Sequence, residues 1–387
     1  EQLQKTKPTS LYNLFVSILQ DPDCVLILGY IGYLLKAFNE RNTHEDELLK
    51  SQLMDKMHSR KDKADVEEAA SLRKEVRRVA DRIMGKRFSL ELLWRELYNM
   101  KEFDCQDAST PLASELLPVL SPNPGVDAVE KLLTMINMGE PFEIIDGDTL
   151  SIPKKTLAEA FGTFGKKRVL VISILGPQSS GKSTLLNFLF GCKFFTSGGR
   201  CTKGVYGSCI ELEHPDYDLL MVIDTEGLKS PEKGDPEFDR KITLFCLAVS
   251  NLVIINVNTE LDRSMQELLE ICIYSLDGLN KAKMAMPQVF MVFNKNASDS
   301  KAPYLEQINK ISESIRESKP EAKDAADAML FTEERLVLLS FAFESKTDEK
   351  DSKRGRVEEW ERLQPSTRFA KEVAAFSKQL LGSSVSL

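Results

Sequence analysis

Apolar positions along this chain change their rhythm once, near residue 167. Before that point they recur at helical spacing. Leu11, Leu14, Phe15, Ile18 and Leu19 follow the turn-prone Pro8-Thr-Ser on one helical stripe, which predicts a helix. Residues 45–87 are dense in mixed charge, and within them Ala69, Leu72, Val76, Val79 and Ile83 draw a narrow seam. That seam suits a solvated helix docked on its neighbour, a helical hairpin, or a coiled coil between chains. Leu90, Leu93, Trp94 and Leu97 mark a further amphipathic helix, and 126–138 a short one. The apolar run from Cys24 to Leu35 falls short of the ~20 residues a membrane-spanning helix needs. A buried core helix is expected there.

From residue 167 onward, short apolar runs alternate with helix-length segments. The runs are Arg168–Leu175, Asp218–Ile223, Leu252–Val257, Gln288–Phe293 and Leu336–Phe341. They are rich in Val, Ile, Leu and Phe without alternation, as befits strands buried on both faces of a parallel sheet. The predicted fold class is α/β, a mostly parallel sheet flanked by helices, with an α-helical region before it and a helical C-terminal end. Prolines, glycines and serines crowd 105–125 and mark a domain boundary. The chain then divides into an α-helical region 1–110, a linker and short helix 111–140, the α/β domain 141–345, and a charged loop with a C-terminal helix 346–387.

Composition narrows the function classes. The 387 residues are 42% apolar, enough for a packed core, and the length favours two domains. A formal net charge of −8 argues against general nucleic-acid binding, because phosphate contacts need a basic surface. The seven cysteines are dispersed without CxxC pairs and read as neither a disulfide framework nor a zinc site. A reduced, cytoplasmic setting is expected, with the nucleus left open. The chain opens on Glu1 with no signal-peptide pattern and stops soon after a helical one, so a piece of a longer protein is expected.

The chemistry concentrates after the first strand. Gly176-Pro-Gln178-Ser179-Ser180-Gly181-Lys182-Ser183 has the P-loop spacing, and it stands between a predicted strand and a predicted helix beginning near Thr184. Gly176 and Gly181 let the backbone turn its N–H groups toward phosphates, and the helix N-terminus adds partial positive charge. Lys182 brings a point charge to the β and γ phosphates, and the Ser183 hydroxyl ligates Mg²⁺. A second apolar strand ends at Asp224, followed by Thr-Glu-Gly227. Asp224 can hold the metal through water, and the Gly227 N–H can reach a γ-phosphate. Between them, Gly198-Gly-Arg200-Cys-Thr202-Lys-Gly204 suits a first switch. Thr202 would complete the Mg²⁺ shell, and Arg200 would serve as an arginine finger or lie as an ordinary surface arginine. For the base, a GTPase commonly uses Asn-Lys-x-Asp after a strand. Asn294 and Lys295 fit, but Ala297 holds the Asp position and Asp299 lies two residues late.

These motifs come in an order that resembles the very large interferon-inducible GTPases, relatives of the guanylate-binding proteins and atlastins. The resemblance rests on Pro141-Phe-Glu-Ile-Ile-Asp-Gly-Asp148, Ser173 to Asn187, Gly199 to Gly204, Asp224-Thr-Glu-Gly-Leu-Lys-Ser-Pro-Glu232, and Ile254-Ile-Asn-Val with Met265-Gln-Glu-Leu-Leu-Glu270. It covers about residues 125–300, and more loosely Phe88 to Leu97. It implies a dynamin-like protein that binds GTP and GDP with Mg²⁺, hydrolyses GTP, and pairs with itself through the G domain in an interferon-induced immune setting. It aligns Asn294-Lys295-Asn296 with the family's His-Gln-Asn-like guanine triplet, which makes Asn296 the base contact. An amide there can accept through its oxygen while its NH₂ finds another partner. The resemblance also sets Ser179 where guanylate-binding proteins keep a P-loop arginine, leaving Arg200 as the candidate for that charge. No Gln stands where small GTPases orient water, and Glu226 is expected to point out from the phosphates.

A dynamin-like GTPase is thus the leading expectation. A nucleotide-gated scaffold with little hydrolysis is the second, and an ATPase the third, kept open by Asn296. Membrane or pathogen targets are not legible.

Overall fold

The computed structural model describes residues 10–59, 66–86, 90–103, 126–196, 204–228, 235–258, 263–296, 298, 300–318, 325, 327, 329, 331–345 and 363–382. Four helices open it: α1 Ser10–Leu19, α2 Cys24–Ser59, α3 Val66–Lys86 and α4 Leu90–Phe103. Then α5 Ala128–Asn137, β1 Phe142–Asp146 and α6 Lys154–Gly162 lead into the α/β domain proper. It runs β2 Val169–Leu175, α7 Lys182–Phe190, β3 Gly204–Glu211, β4 Leu219–Thr225, α8 Pro236–Val249, β5 Leu252–Val257 and α9 Arg263–Lys281. It continues through β6 Gln288–Phe293, α10 Ala302–Ser318 and β7 Leu336–Leu338. The short pair β8 Phe343–Ser345 and β9 Leu363–Pro365 precedes α11 Thr367–Leu381.

The sheet has the order β1-β3-β4-β2-β5-β6-β7. Strands β4, β2, β5, β6 and β7 are parallel, while β3 runs antiparallel to β4 and β1 antiparallel to β3. Both faces are covered. Leu170, Ile172, Ile174, Val222 and Ile254 share one core with Leu186 of α7 and Phe376 of α11. Ile223, Val253, Ile255 and Val257 share the other with Ile242 of α8 and Leu269 of α9. Two-sided burial accounts for the unbroken apolar runs. Each of the five predicted strands is present, the last shortened to Leu336–Leu338. Strands β1, β3, β8 and β9 have no counterpart among the predictions.

Two helical expectations meet a structural answer. The stretch from Cys24 to Leu35 is not a buried core helix. It begins a 36-residue helix, burying Cys24 and Leu28 while Leu26, Tyr30, Tyr33 and Leu34 stay exposed. A helix in an outer layer has one face to bury, and an apolar run alone does not reveal how many faces are covered. The 69–83 seam forms a hairpin with α2: Val76, Val79 and Ile83 close on Leu53. Asp46 of α2 pairs with Lys86 at 2.7 Å and Arg82 at 2.5 Å, and Lys86 first, then Arg82, hold its carboxyl below the ordinary range.

The helical region packs on its own α/β domain. Phe15, Leu28, Trp94 and Tyr98 form a core that continues into Val126 and Ala128 at the start of α5. At the end of α4, the Glu102 carboxylate accepts the Lys155 N–H at 2.8 Å and the Thr156 N–H at 3.2 Å, in the first turn of α6. Higher on α4, Arg95 reaches Glu143 and Asp146 of β1. Residues 104–125, where the sequence places its boundary, lie outside the described residues.

Candidate nucleotide site

Strand β2 ends at Leu175 inside the core, and Gly176 to Gly181 turn the chain into α7. Helices α5, α8 and α11 begin on their own caps: Asp127, Asp235 and Ser366 accept N–H groups of the first turn. Helix α7 does not. Its cap is Gly181 at φ +85°, with no side-chain cap bond. A helix N-terminus turns its leading amides and the positive end of its dipole toward an anion, and at Gly181 no side-chain cap stands in the way. Lys182 is buried and curls its Nζ onto the Pro177 carbonyl at 3.0 Å, over the loop itself. Thr184 is half-buried in the next turn.

Ser183 donates its Oγ to Asp224 Oδ2 at 2.6 Å, across 41 residues of chain. Asp224 is fully buried at the end of β4, which lies parallel beside β2. The Thr225 N–H holds its other oxygen at 3.0 Å. A hydroxyl and a carboxylate form the hard oxygen set that Mg²⁺ takes, so these residues fit the metal. Two amides brace the loop from behind. Asn256, fully buried in β5, donates Nδ2 to Ser180 O at 2.8 Å and Ser180 Oγ at 3.2 Å. Asn294, at the exit of β6, donates Nδ2 to Ser180 O at 3.2 Å. Asn294 is thus a loop brace.

The segment after Asp224 lies along the phosphate loop. Leu228 donates its N–H to Gly176 O at 3.0 Å, and Gln178 donates its N–H to Leu228 O at 3.3 Å. Gly227 sits in this crossing so tightly that a Cβ there would lie 2.4 Å from Gln178 Cα. Glu226 is held by the backbone at the start of β3. It is buried, and its Oε2 accepts the Gly204 N–H at 3.1 Å while its own N–H donates to Gly204 O at 2.7 Å. A backbone donor at the start of β3 gives the carboxylate a buried partner. Ser179 is exposed, at φ +60°.

The stretch expected to meet the base is built differently. Lys295 is exposed at φ +60°. Asn296 is buried, and its Oδ1 already accepts the Ser298 N–H at 2.8 Å and the Tyr304 hydroxyl at 3.4 Å. Its Nδ2 has no protein partner. The oxygen expected to meet the base is thus already held within the protein, and the NH₂ expected to find a partner has none among the described residues. Arg200, Thr202, Ala297 and Asp299 lie outside the described residues.

Sequence reasoning missed two contributors. Asn256 had a signal, since a lone amide inside the apolar run Leu252–Val257 must find a partner when buried. Arg95 had none, because its acidic partners lie 48 residues and more away.

A phosphate loop between a buried strand and an uncapped helix, with the metal carboxylate on the adjacent parallel strand, defines a P-loop nucleotide-binding domain. The family model for the URGCP-like GTPase domain matches residues 30–337. The chain belongs to the URGCP-like GTPase family, whose nucleotides are GTP and GDP with Mg²⁺. It is 28% identical over 331 residues to Interferon-induced very large GTPase 1 of Mus musculus, covering 82% of this chain and 13% of that protein. The human protein of that name is 37% identical over 157 residues, 38% of this chain and 6% of the relative. A SEY1 homolog of Dictyostelium discoideum is 46% identical over 94 residues, 22% of this chain and 10% of that protein. The chain therefore spans a small part of the length of these relatives.

Proposed function

We propose that this chain is the GTP-hydrolysing G domain of a dynamin-like protein, and that its nucleotide state drives self-association. The observation that carries the reading is the Ser183–Asp224 contact at 2.6 Å beside the uncapped start of α7. One element supplies the phosphate cradle and its neighbouring strand supplies the metal carboxylate. When bound, Mg²⁺ neutralises charge building between the β and γ phosphates. Lys182 exchanges the Pro177 carbonyl for phosphate oxygens, and the amides opening α7 hold the phosphate chain in line. Thr202 closes the site from the first switch, and Arg200 supplies the charge that Ser179 does not, within one chain or across a dimer.

In this reading the partner of the G domain is a second copy of the chain. The name of the very large GTPases supports an interferon-induced setting; an immune role in the cytosol, with the nucleus as a second compartment, belongs to the same reading. A membrane or pathogen target is unassigned. A second reading, a nucleotide-gated scaffold, draws on the exposed serine at 179 in place of an arginine. The deciding experiment measures solution mass and phosphate release with GDP, a non-hydrolysable GTP analogue and a transition-state mimic. The GTPase reading expects a dimer with the mimic and release that falls at least tenfold in Arg200→Ala. A dimer without phosphate release would establish the scaffold.

A further inference from the structure

The motif Pro141 to Asp148 and the helix around Arg95 remain unused by the nucleotide chemistry, yet they meet. Arg95 of α4 donates Nε to Glu143 Oε2 at 2.7 Å and pairs with Asp146 Oδ1 at 3.0 Å. Asp148 stands 3.7 Å away, and the Tyr206 hydroxyl donates to Glu143 Oε1 at 3.2 Å. Glu143 and Asp146 belong to β1, whose end pairs with the start of β3, Asp146 opposite Gly204. Gly204 is wedged there. A Cβ on it would lie 2.1 Å from Ile145 O and 2.5 Å from Gly147 N. On its other side Gly204 exchanges two hydrogen bonds with Glu226, and Tyr206 lies opposite Asp224 in the β3–β4 ladder. Gly204 also opens β3, directly after the stretch read as the first switch.

We propose that Arg95 is a positioning residue for GTP turnover, holding the end of β1 against Gly204 so that the helical region and both switches move as one unit. The proposal rests on reading 198–204 as the first switch. Three carboxylates surround one guanidinium, and burial raises the Glu143 carboxyl above its ordinary range despite Arg95 beside it. Removing Arg95 leaves Glu143 and Asp146 close together without their shared cation, Glu143 keeping the Tyr206 hydroxyl and Asp146 the Asp148 N–H and the Thr149 hydroxyl, and that uncompensated charge loosens the seat of β1. The junction has room to shift. A cavity of about 190 Å³, lined by Leu28, Trp94, Tyr98, Phe142, Phe194 and Tyr206, lies between the helical region and the sheet. The ion cluster is a discrete link across it, one that can be made or broken between two arrangements.

The test uses the full 387-residue chain. In Arg95→Ala, kcat for GTP should fall at least tenfold while GDP affinity stays within threefold, because the P-loop contacts are untouched. Arg95→Lys should recover only part of kcat, since one ammonium cannot replace a two-pronged guanidinium. Hydrogen exchange in α4 should differ between GDP and a non-hydrolysable GTP analogue in the wild type and lose that difference in Arg95→Ala. Wild-type kcat in a folded Arg95→Ala chain overturns the proposal, as does nucleotide-blind exchange of α4 in the wild type. Should Arg95→Ala not fold, Tyr206→Phe is the substitute: kcat should fall two- to threefold at an unchanged melting temperature, and an unchanged kcat overturns the proposal. Thr202→Ala separates the two readings. If it leaves hydrolysis intact, the switch assignment fails and the coupling falls with it; if it stops hydrolysis and Arg95→Ala does not, only the coupling fails.

Discussion

The two ends of the nucleotide site are made on different principles. At the phosphate end, Lys182, Ser183, Asp224, Asn256 and Asn294 interlock around one loop, and each contact follows from backbone geometry and charge. Where the base is expected, Asn296 has spent its oxygen on Ser298 and Tyr304, and its buried Nδ2 has no partner among the described residues. Phosphates look alike in every nucleoside triphosphate, so the first end confers affinity without choice. Selection of the base has to come from the second.

Lys182→Ala attacks the first end alone and carries the largest expected effect. Losing a charge-assisted contact to the phosphates should weaken GTP, GDP and ATP by a common factor of about a hundredfold or more. Titration of fluorescent nucleotides reads it. Unequal losses for GTP and ATP would break the division, because Lys182 would then be sensing the base.

Gly227→Ala tests whether the second switch truly rests on the loop. The added Cβ would meet Gln178 Cα at 2.4 Å, a backbone neighbour with nowhere to go. The crossing of Leu228 over Gly176 and Gln178 should open, costing about 1–3 kcal/mol as an overpacked site. The melting temperature should drop several degrees, and phosphate release should slow about tenfold. GDP affinity should change less, since the Lys182 and Ser183 contacts remain. An unchanged melting temperature would show that the crossing is not a resting place.

The same division explains what the sequence disclosed. Arg168–Leu175 and Leu252–Val257 were legible because two-sided burial writes itself as unbroken apolar runs. The P-loop was legible because phosphate binding demands fixed residue types at fixed spacing. Strand β3 was not, since Gly204-Val-Tyr-Gly-Ser-Cys mixes glycine and polar residues with apolar ones and sits near the antiparallel edge. The exposure of Leu26, Tyr30 and Leu34 was hidden because it depends on how many neighbours α2 has. Arg95 was hidden because ion pairs across distant segments leave no local period. At Asn296 the residue was visible, but which of its two amide atoms is already taken is decided by Ser298 and Tyr304.

Asn296 sharpens the base end. If its Nδ2 donates to an acceptor on the base, Asn296→Ala should weaken GTP about tenfold, the loss of one hydrogen bond in a desolvated site. Asn296→Asp should weaken it at least as much, because a carboxylate offers no donor. A carboxylate reader of the 2-amino group predicts the reverse, GTP binding gained in Asn296→Asp. Inosine triphosphate, which lacks that amino group, should bind the wild type within about threefold of GTP. GTP affinity unchanged in both variants would assign Asn296 to the fold alone.

The smallest effect lies at the opposite ends of the same strands and serves to separate site chemistry from fraying of the sheet. Arg168, just before β2, donates to Asp218, just before β4, at 3.0 and 3.2 Å. This side-chain bond first, and the Arg168 N–H next, hold the Asp218 carboxyl down to about 2. A depressed carboxylate contributes stability that is complete above its unfolded value near 3.8 and is lost as pH falls toward 2. Melting temperature should therefore carry a small acid-sensitive component between about pH 4 and 2, which Asp218→Asn removes. The pair is exposed, so water and salt screen it and the change should be slight. At neutral pH the variant should bind GTP as the wild type does, since no phosphate contact involves Asp218. A loss of GTP affinity there would mean that β2 and β4 transmit strain along their length, and that the phosphate end is less self-contained than its local contacts imply.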